Sequence, residues 1–278
     1  MTALAEPGSA VAAARGRRGA VTQVRVLRSE WTKLWTLRST RWSLLAAFVA
    51  MAGLGILVAA VQMNRWDHLR PHERATYTSL DPAVGGWHLA QLAIGVLGVL
   101  IISGEYSTGM IRSSFMAVPH RLPVLWAKMG VYAAVTFVLM LVATLVSFLG
   151  VQAVVSGHGL QHSLGDPGAL RVVLGTALYL TMLGTMCVAL GALVRSTAGG
   201  IALFVALLFV LPGITAILPA SISDAISPYL PLNAGTTVTT VVFESSHHLS
   251  PWGGFALFCG YTAVAVAAAA IGLVRRDA

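Results

Sequence analysis

Gly104–Lys128 reads GEYSTGMIRSSFMAVPHRLPVLWAK, a polar and basic stretch set between two long apolar runs, Val84–Ser103 and Met129–Val151. Both runs lack Asp, Glu, Lys and Arg, and both are long enough to cross a hydrocarbon core of ~30 Å as a helix. Four more runs obey the same rule: Trp42–Gln62, Val172–Val194, Ser196–Ala220 and Gly253–Val274. Their Leu, Ala, Val and Gly do not alternate with polar residues, which selects helices over barrel strands. The chain is therefore predicted to be an all-α polytopic membrane protein with six transmembrane helices. Composition agrees, since only 10% of its 278 residues are charged, where a soluble domain carries about 25%.

The net charge of +8 could suggest a nucleic-acid partner, but its distribution assigns it to topology instead. Fourteen of the 18 Lys and Arg fall in segments on the side of the N-terminus, and only Arg65, Arg70, Arg74 and Arg171 fall on the other. By the positive-inside rule both termini, and Gly104–Lys128 with them, lie in the cytoplasm. A multi-pass protein of the cell membrane is the expected setting. Cys187 and Cys259 fall inside the spans and read as small apolar residues, not as a disulfide or a metal site.

Residues 1–20 are rich in Ala, Gly and Arg without apolar periodicity and are expected to be disordered; residues 21–278 are expected to form the transmembrane domain. The first apolar run, 21 residues long, exceeds the ~7–15 of a signal peptide and should stay in the protein as an anchor. Before it, Val24, Leu27, Trp31, Leu34 and Trp35 share one helical face, with Arg25, Thr32, Lys33 and Thr36 turned away. This predicts an amphipathic interface helix along the cytoplasmic surface that turns as an elbow into the first span. It would pack beside Gly104–Lys128.

The outer segments hold less chemistry. His88, near the outer end of the second span, reads as an interfacial or hydrogen-bonded histidine. His158, His162 and Asp166 match no metal-ligand spacing, so no metal site is predicted. Gly184 and Gly191, seven apart, mark a close helix contact, and Pro212 should kink the fifth span. The segment Ser221–Trp252 suggests one or two short helices at the outer leaflet.

Function is first narrowed by what is missing. The apolar runs contain no Asp, Glu, Lys or Arg, so an ion-coupled carrier is disfavoured. There is no GxSxG, no HExxH and no pair of intramembrane aspartates, so the chain is not expected to be an enzyme. GxxxxGK[ST] is absent too; the only lysines, Lys33 and Lys128, follow Thr32 and Ala127. Energy for any active transport must then come from a separate ATPase, and its port would be Gly104–Lys128. Within it, Thr108–Met116 can form two helical turns with Met110, Ile111, Ser114 and Phe115 along one edge. Pro119 ends that helix, and Pro123 fits the first turn of the next.

These residues resemble a family. SEWTKLWTLRSTRW (Ser29–Trp42), EYSTGMIRSSFMAVPHRLPVLWAK (Glu105–Lys128) and YLPLNAG (Tyr229–Gly235) occur in the order seen in ABC-2-type membrane permeases. The closest likeness is to the six-span subunits common in high-GC Gram-positive bacteria, and it covers nearly everything beyond residue 20. The resemblance implies the permease subunit of an ATP-binding-cassette transporter, usually an exporter. A second permease subunit and a separate ATPase, with its ATP and magnesium, would complete it. It also implies a coupling helix between the second and third spans, around Ser107–Met116. The contact residues would be Glu105, Tyr106, Thr108, Gly109, Ile111, Arg112, Phe115 and Arg121, and the interface helix would be represented by Trp31, Lys33, Leu34 and Arg38. No catalytic, cofactor or metal residue is implied in this chain, nor any transport-site residue. The apolar spans suit an amphipathic small molecule, a peptide or a lipid. The alternative is a non-transporting membrane anchor or sensor subunit.

Overall fold

The computed structural model describes residues 23–109, 121–241 and 248–275. Among them the regular structure is helical, without strands. A first helix, α1 (Gln23–Thr36), stops at Leu37, whose extended backbone (φ −76°, ψ 119°) turns the chain directly into α2 (Arg38–Asn64). Then come α3 (Trp87–Ser107), α4 (Arg121–Val155) and α5 (Ala169–Val194). Helix α6 begins as Thr197–Val205, widens through a π turn at Ala206–Val210 and finishes as Leu211–Ala216. Helix α7 is Pro251–Arg275. From α2 to α7 these are six helices long and apolar enough to span a membrane. An even number of crossings returns both ends of the described chain to one side.

The apolar runs located the spans, but the helices do not stop where the charges begin. Helix α4 starts at Arg121, with Pro123 in its first turn as expected, and continues for 35 residues. At 1.5 Å per residue, the eight residues before Met129 carry it roughly 12 Å past its apolar run. Glu105 and Lys128 thus stand within the helices, at the ends that meet α1.

Helix α5 is the axis of the bundle. In its most apolar window 72% of residues are buried, against 17% for α6 and 22% for α7, which lie at the edge. Small residues let its neighbours approach. A Cβ on Gly191 would lie 2.9 Å from the Val99 carbonyl oxygen of α3, and one on Gly98 would lie 2.6 Å from the Gly184 carbonyl oxygen of α5. The expected contact at Gly184 and Gly191 is therefore the α3–α5 seam, a small-residue packing suited to a membrane. Buried Tyr179 donates across it to Gln91 Oε1 at 2.8 Å, and Tyr132 of α4 donates to the Ile94 carbonyl of α3 at 2.7 Å.

Pro212 acts as expected, with a specific geometry. A proline ring crowds the carbonyl four residues earlier and removes one N–H. Here the helix widens just before it, and the Leu211 N–H reaches back five residues to the Ala206 carbonyl. The π turn keeps the chain helical through the proline.

At the end of the bundle opposite α1, the long segment before α7 folds into Ala220–Ile226, a 3₁₀ turn at Ser227–Tyr229, and Pro231–Thr236. YLPLNAG seats Ala234 and Gly235 against α5 and α7, with Gly235 pressed on the rings of Tyr179 and Phe258. Arg171, at the start of α5, donates to the carbonyls of Thr237, Val238 and Thr240 at 3.4, 3.4 and 3.0 Å. A cation counted only for topology thus holds this segment in place.

Candidate coupling site

Four side chains meet where α1 crosses the inner ends of α3 and α4. Lys128 Nζ donates to Glu30 Oε2 at 2.6 Å and to Glu105 Oε1 at 2.8 Å. Lys33 Nζ donates to Glu30 Oε1 at 2.8 Å and to Glu105 Oε1 at 3.0 Å. The result is a ring of two carboxylates and two ammoniums. Side-chain exposure is 4% for Glu30 and Lys128, 7% for Glu105 and 31% for Lys33, so three members lie in the interior. Charges this deep are tolerable only when paired and hydrogen-bonded. One atom escapes: Glu105 Oε2 is buried without a partner.

Both lysines of the chain are in this ring, although 16 of its 18 basic residues are arginines. The geometry explains the choice. A compact ammonium with three N–H groups can sit between two carboxylates from different helices, whereas a planar guanidinium fork is bulkier and prefers one carboxylate. Glu30 and Lys128 were not among the site residues expected from the sequence, and Glu30 was not singled out at all. Its signal was available, because Glu30 is the single acid among residues 7–66, an otherwise basic and apolar region.

The face of α1 turned to the protein is not the apolar stripe. Val26, Glu30 and Leu34 are buried, one turn apart, while Val24, Leu27, Trp31 and Trp35 are exposed. Lys33, expected away from the stripe, joins the ring. The apolar stripe seen in the sequence is real, but it lies on the outer side of the helix, where Trp31 and Trp35 pack edge to face at 5.8 Å. The inner side is fixed instead by ion pairing, by Val26 against Val124 and Ala127, and by Gln23 donating to the Pro123 carbonyl at 3.1 Å. An apolar moment marks the medium a helix faces, which in a bilayer need not be the protein core. Trp42 and Trp126, exposed near the same end, extend the aromatic set into the belt typical of a membrane–water boundary.

Lys33 can be titrated. Burial works against its charge, but the hydrogen bond to Glu30 and the nearby Glu105 outweigh burial and hold the ammonium above its ordinary value of 10.5. A raised value means that its contribution is complete below pH 10.5 and fades as pH rises through the folded-state value. We expect thermal stability of the purified protein to be insensitive to Lys33 between pH 7 and 10 and to fall above that. Lys33→Met should remove the alkaline part of the fall; an identical alkaline profile in the variant would show that Lys33 is not its source.

The other residues expected at this site are placed as follows. Tyr106 carries the Arg195 guanidinium over its ring at 5.3 Å, and Arg195 also donates to the Gly272 carbonyl at 3.2 Å, so α3, α5 and α7 are joined here. Thr108 closes α3 with its hydroxyl on the Gly104 carbonyl at 2.8 Å. Gly109 follows in a left-handed conformation, φ +71°, which favours glycine and turns the chain out of the helix. Arg38 is exposed at the start of α2. Ile111, Arg112 and Phe115 lie outside the described residues, as does most of the expected coupling helix. Arg121 opens α4 by its backbone, and its side chain is outside the description too.

Away from this site, the outer polar residues satisfy one another. His162 Nδ1 shares a hydrogen bond with Ser79 Oγ at 2.8 Å, and Asp166 accepts from the backbone and hydroxyl of Ser163, both at 2.9 Å. His158 meets the edge of Trp66. Among the described residues no three His, Cys, Asp or Glu converge as metal ligands. His88 hydrogen-bonds the Gly85 carbonyl at 2.9 Å and stacks on Trp87.

A six-helix bundle, with an ion-paired helix across the ends of two spans, defines a polytopic membrane protein. The chain belongs to the ABC-2 family of transporter proteins, whose sequence profile matches residues 26–218. It is thus an ABC transporter permease subunit. No curated protein matches the sequence.

Proposed function

We propose that the chain is the membrane half of an ATP-driven exporter, powered by a separate ATP-binding-cassette ATPase and paired with a second permease subunit. It sits in the cell membrane of a bacterium with both termini in the cytoplasm. Its cargo is an amphipathic small molecule, a peptide or a lipid. The ATPase, with its ATP and magnesium, engages the segment between α3 and α4. The observation that carries this reading is the Glu30–Lys33–Glu105–Lys128 ring, because it binds three elements into one body beside that segment.

Force applied beyond Gly109 reaches α3 within two turns and α4 at its first turn. The ring then carries it to α1, and through the elbow at Leu37 to α2. Glu105, being buried, is a positioning residue in this scheme, and the docking surface falls to Ile111, Arg112, Phe115 and Arg121. The test is affinity purification of the tagged full chain from its native membrane. A Walker-motif ATPase should co-purify, and its activity should depend on this chain after reconstitution. Arg112→Ala should weaken stimulated hydrolysis while leaving the permease folded. Capture of no ATPase, with efflux unchanged in the Arg112 variant, would return the chain to an anchor or sensor role.

A further inference from the structure

The elbow between α1 and α2 carries cations without partners. Arg38 and Arg41, in the first turn of α2, are exposed, and their side chains make no hydrogen bond or ion pair among the described residues. Three positions apart on a helix, their Cβ atoms are about 5–6 Å from each other. No acid accompanies them in that turn, where the positive end of the helix already disfavours a cation. Nor does one reach them from elsewhere. Of the described acids, Asp67, Glu73, Asp81, Asp166 and Asp224 belong to the opposite end of the bundle, and Glu30 and Glu105 are buried. Arg25 and Arg28 of α1 are exposed and unpaired in the same way. The exposed surface around the elbow is therefore basic, and no described residue supplies its counter-charge.

What continues from these arginines is apolar. Thr40, Leu44, Ala47 and Met51 form the buried face of α2, whereas Arg38, Arg41, Trp42, Leu45 and Val49 are exposed. Trp42 follows Arg38 by four residues and Leu45 follows Arg41 by four, so each arginine stands one turn before an apolar side chain on its own face. From Trp42 to Val49 the stripe runs about 10 Å along the helix, which is long and apolar enough to cross a membrane. An exposed stripe on such a helix faces lipid tails, and this puts Arg38 and Arg41 at the level of the head groups. A soluble anion would answer the cations and leave the stripe unused. A zwitterionic head group would bring a further cation to a surface with no acid to receive it. An anion that carries an acyl chain matches both parts.

We propose that the exposed face of the elbow is a binding site for an anionic phospholipid of the leaflet at that end. The guanidinium forks of Arg38 and Arg41 share its phosphodiester, a task for which a planar fork is better shaped than an ammonium. One acyl chain lies along Trp42, Leu45 and Val49. Arg28, two turns before Trp35 and on the same face of α1, extends the basic surface towards a neighbouring head group. A lipid held by Arg38 and Arg41 fixes the start of α2 in the leaflet, next to Leu37, where α1 turns away. The site rests on the membrane setting of the chain and not on the transport reading.

The test uses the purified full chain in detergent, without any ATPase, titrated with palmitoyl-oleoyl phosphatidylglycerol and, in parallel, with phosphatidylcholine of the same chains. Native mass spectrometry counts the lipids retained. Phosphatidylglycerol should be retained saturably, and phosphatidylcholine at least about tenfold more weakly. Each cation at a membrane surface strengthens the hold on anionic lipid about fivefold, so Arg38→Gln combined with Arg41→Gln should weaken phosphatidylglycerol about 25-fold. The lipid-free double variant should melt like the parent, because both side chains are exposed. Arg65→Gln makes the same kind of charge change at the other end of α2 and should leave retention intact. Inorganic phosphate in excess should not displace the lipid. Equal retention of the two lipids, full retention in the double arginine variant, an equal loss in Arg65→Gln, or displacement by inorganic phosphate would overturn the proposal.

Discussion

Lys128→Met is expected to be the most damaging single substitution at the end of the bundle covered by α1. It removes the one ammonium that bridges Glu30 and Glu105 in the interior and leaves two carboxylates to share Lys33. Removing one partner of a buried ion pair costs about 3–5 kcal/mol, which lowers the melting temperature by roughly 6–20 °C. Stimulated ATP hydrolysis should fall with it, because α1 is no longer tied to α3 and α4. The informative comparison is the double variant Glu105→Gln with Lys128→Met. That combination restores neutrality, with Glu30 and Lys33 still paired at 2.8 Å, and should be more stable than Lys128→Met alone. Such non-additivity is the signature of coupled charges. If Lys128→Met melts like the parent protein, the ring does not carry the binding of α1.

The second large effect is expected at Gly98. A methyl there would lie 2.6 Å from the Gly184 carbonyl oxygen and 3.0 Å from Cys187 Cβ. The first obstacle is backbone and cannot rotate aside, so α3 and α5 must separate. Overpacking of this kind costs about 1–3 kcal/mol for Gly98→Ala, and Gly98→Leu should not yield a detergent-stable protein. The contrast is Gly130 in α4, where nothing lies within 4 Å of an added Cβ. Gly130→Ala should be neutral or stabilising by up to ~1 kcal/mol, from helix propensity alone. Melting both variants side by side separates a packing requirement from a general intolerance of change; equal losses at the two positions would contradict the α3–α5 seam.

The spans were legible because a bilayer imposes one simple rule on length and polarity, and six apolar runs met it. Glu105 and Lys128 were visible as charges near span ends, but not as partners. Their contact depends on how α3 and α4 are placed around α2 and α5, with Glu105 and Lys128 23 positions apart in the chain, and nothing local encodes it. The burial of Glu30 was hidden for a related reason. Val24, Leu27, Trp31 and Trp35 stand out as an apolar stripe, whereas Glu30 looks like a surface residue. In the fold the tryptophans face out and the glutamate faces in. The roles of Arg171 and Arg195 as carbonyl donors were hidden in the same way, because a topology count treats all arginines alike. Gly184 and Gly191 were readable, since small residues one heptad apart have few other uses.

The ring also has a consequence for biosynthesis. Its members come from residues 30, 33, 105 and 128, so it cannot close until the start of α4 has left the ribosome. Before that moment Glu30 lacks the Lys128 ammonium, and α1 is not yet tied to α4 through the ring. Closure therefore marks the point at which the first three spans become a fixed unit, ready to receive α5 along the Gly98 seam.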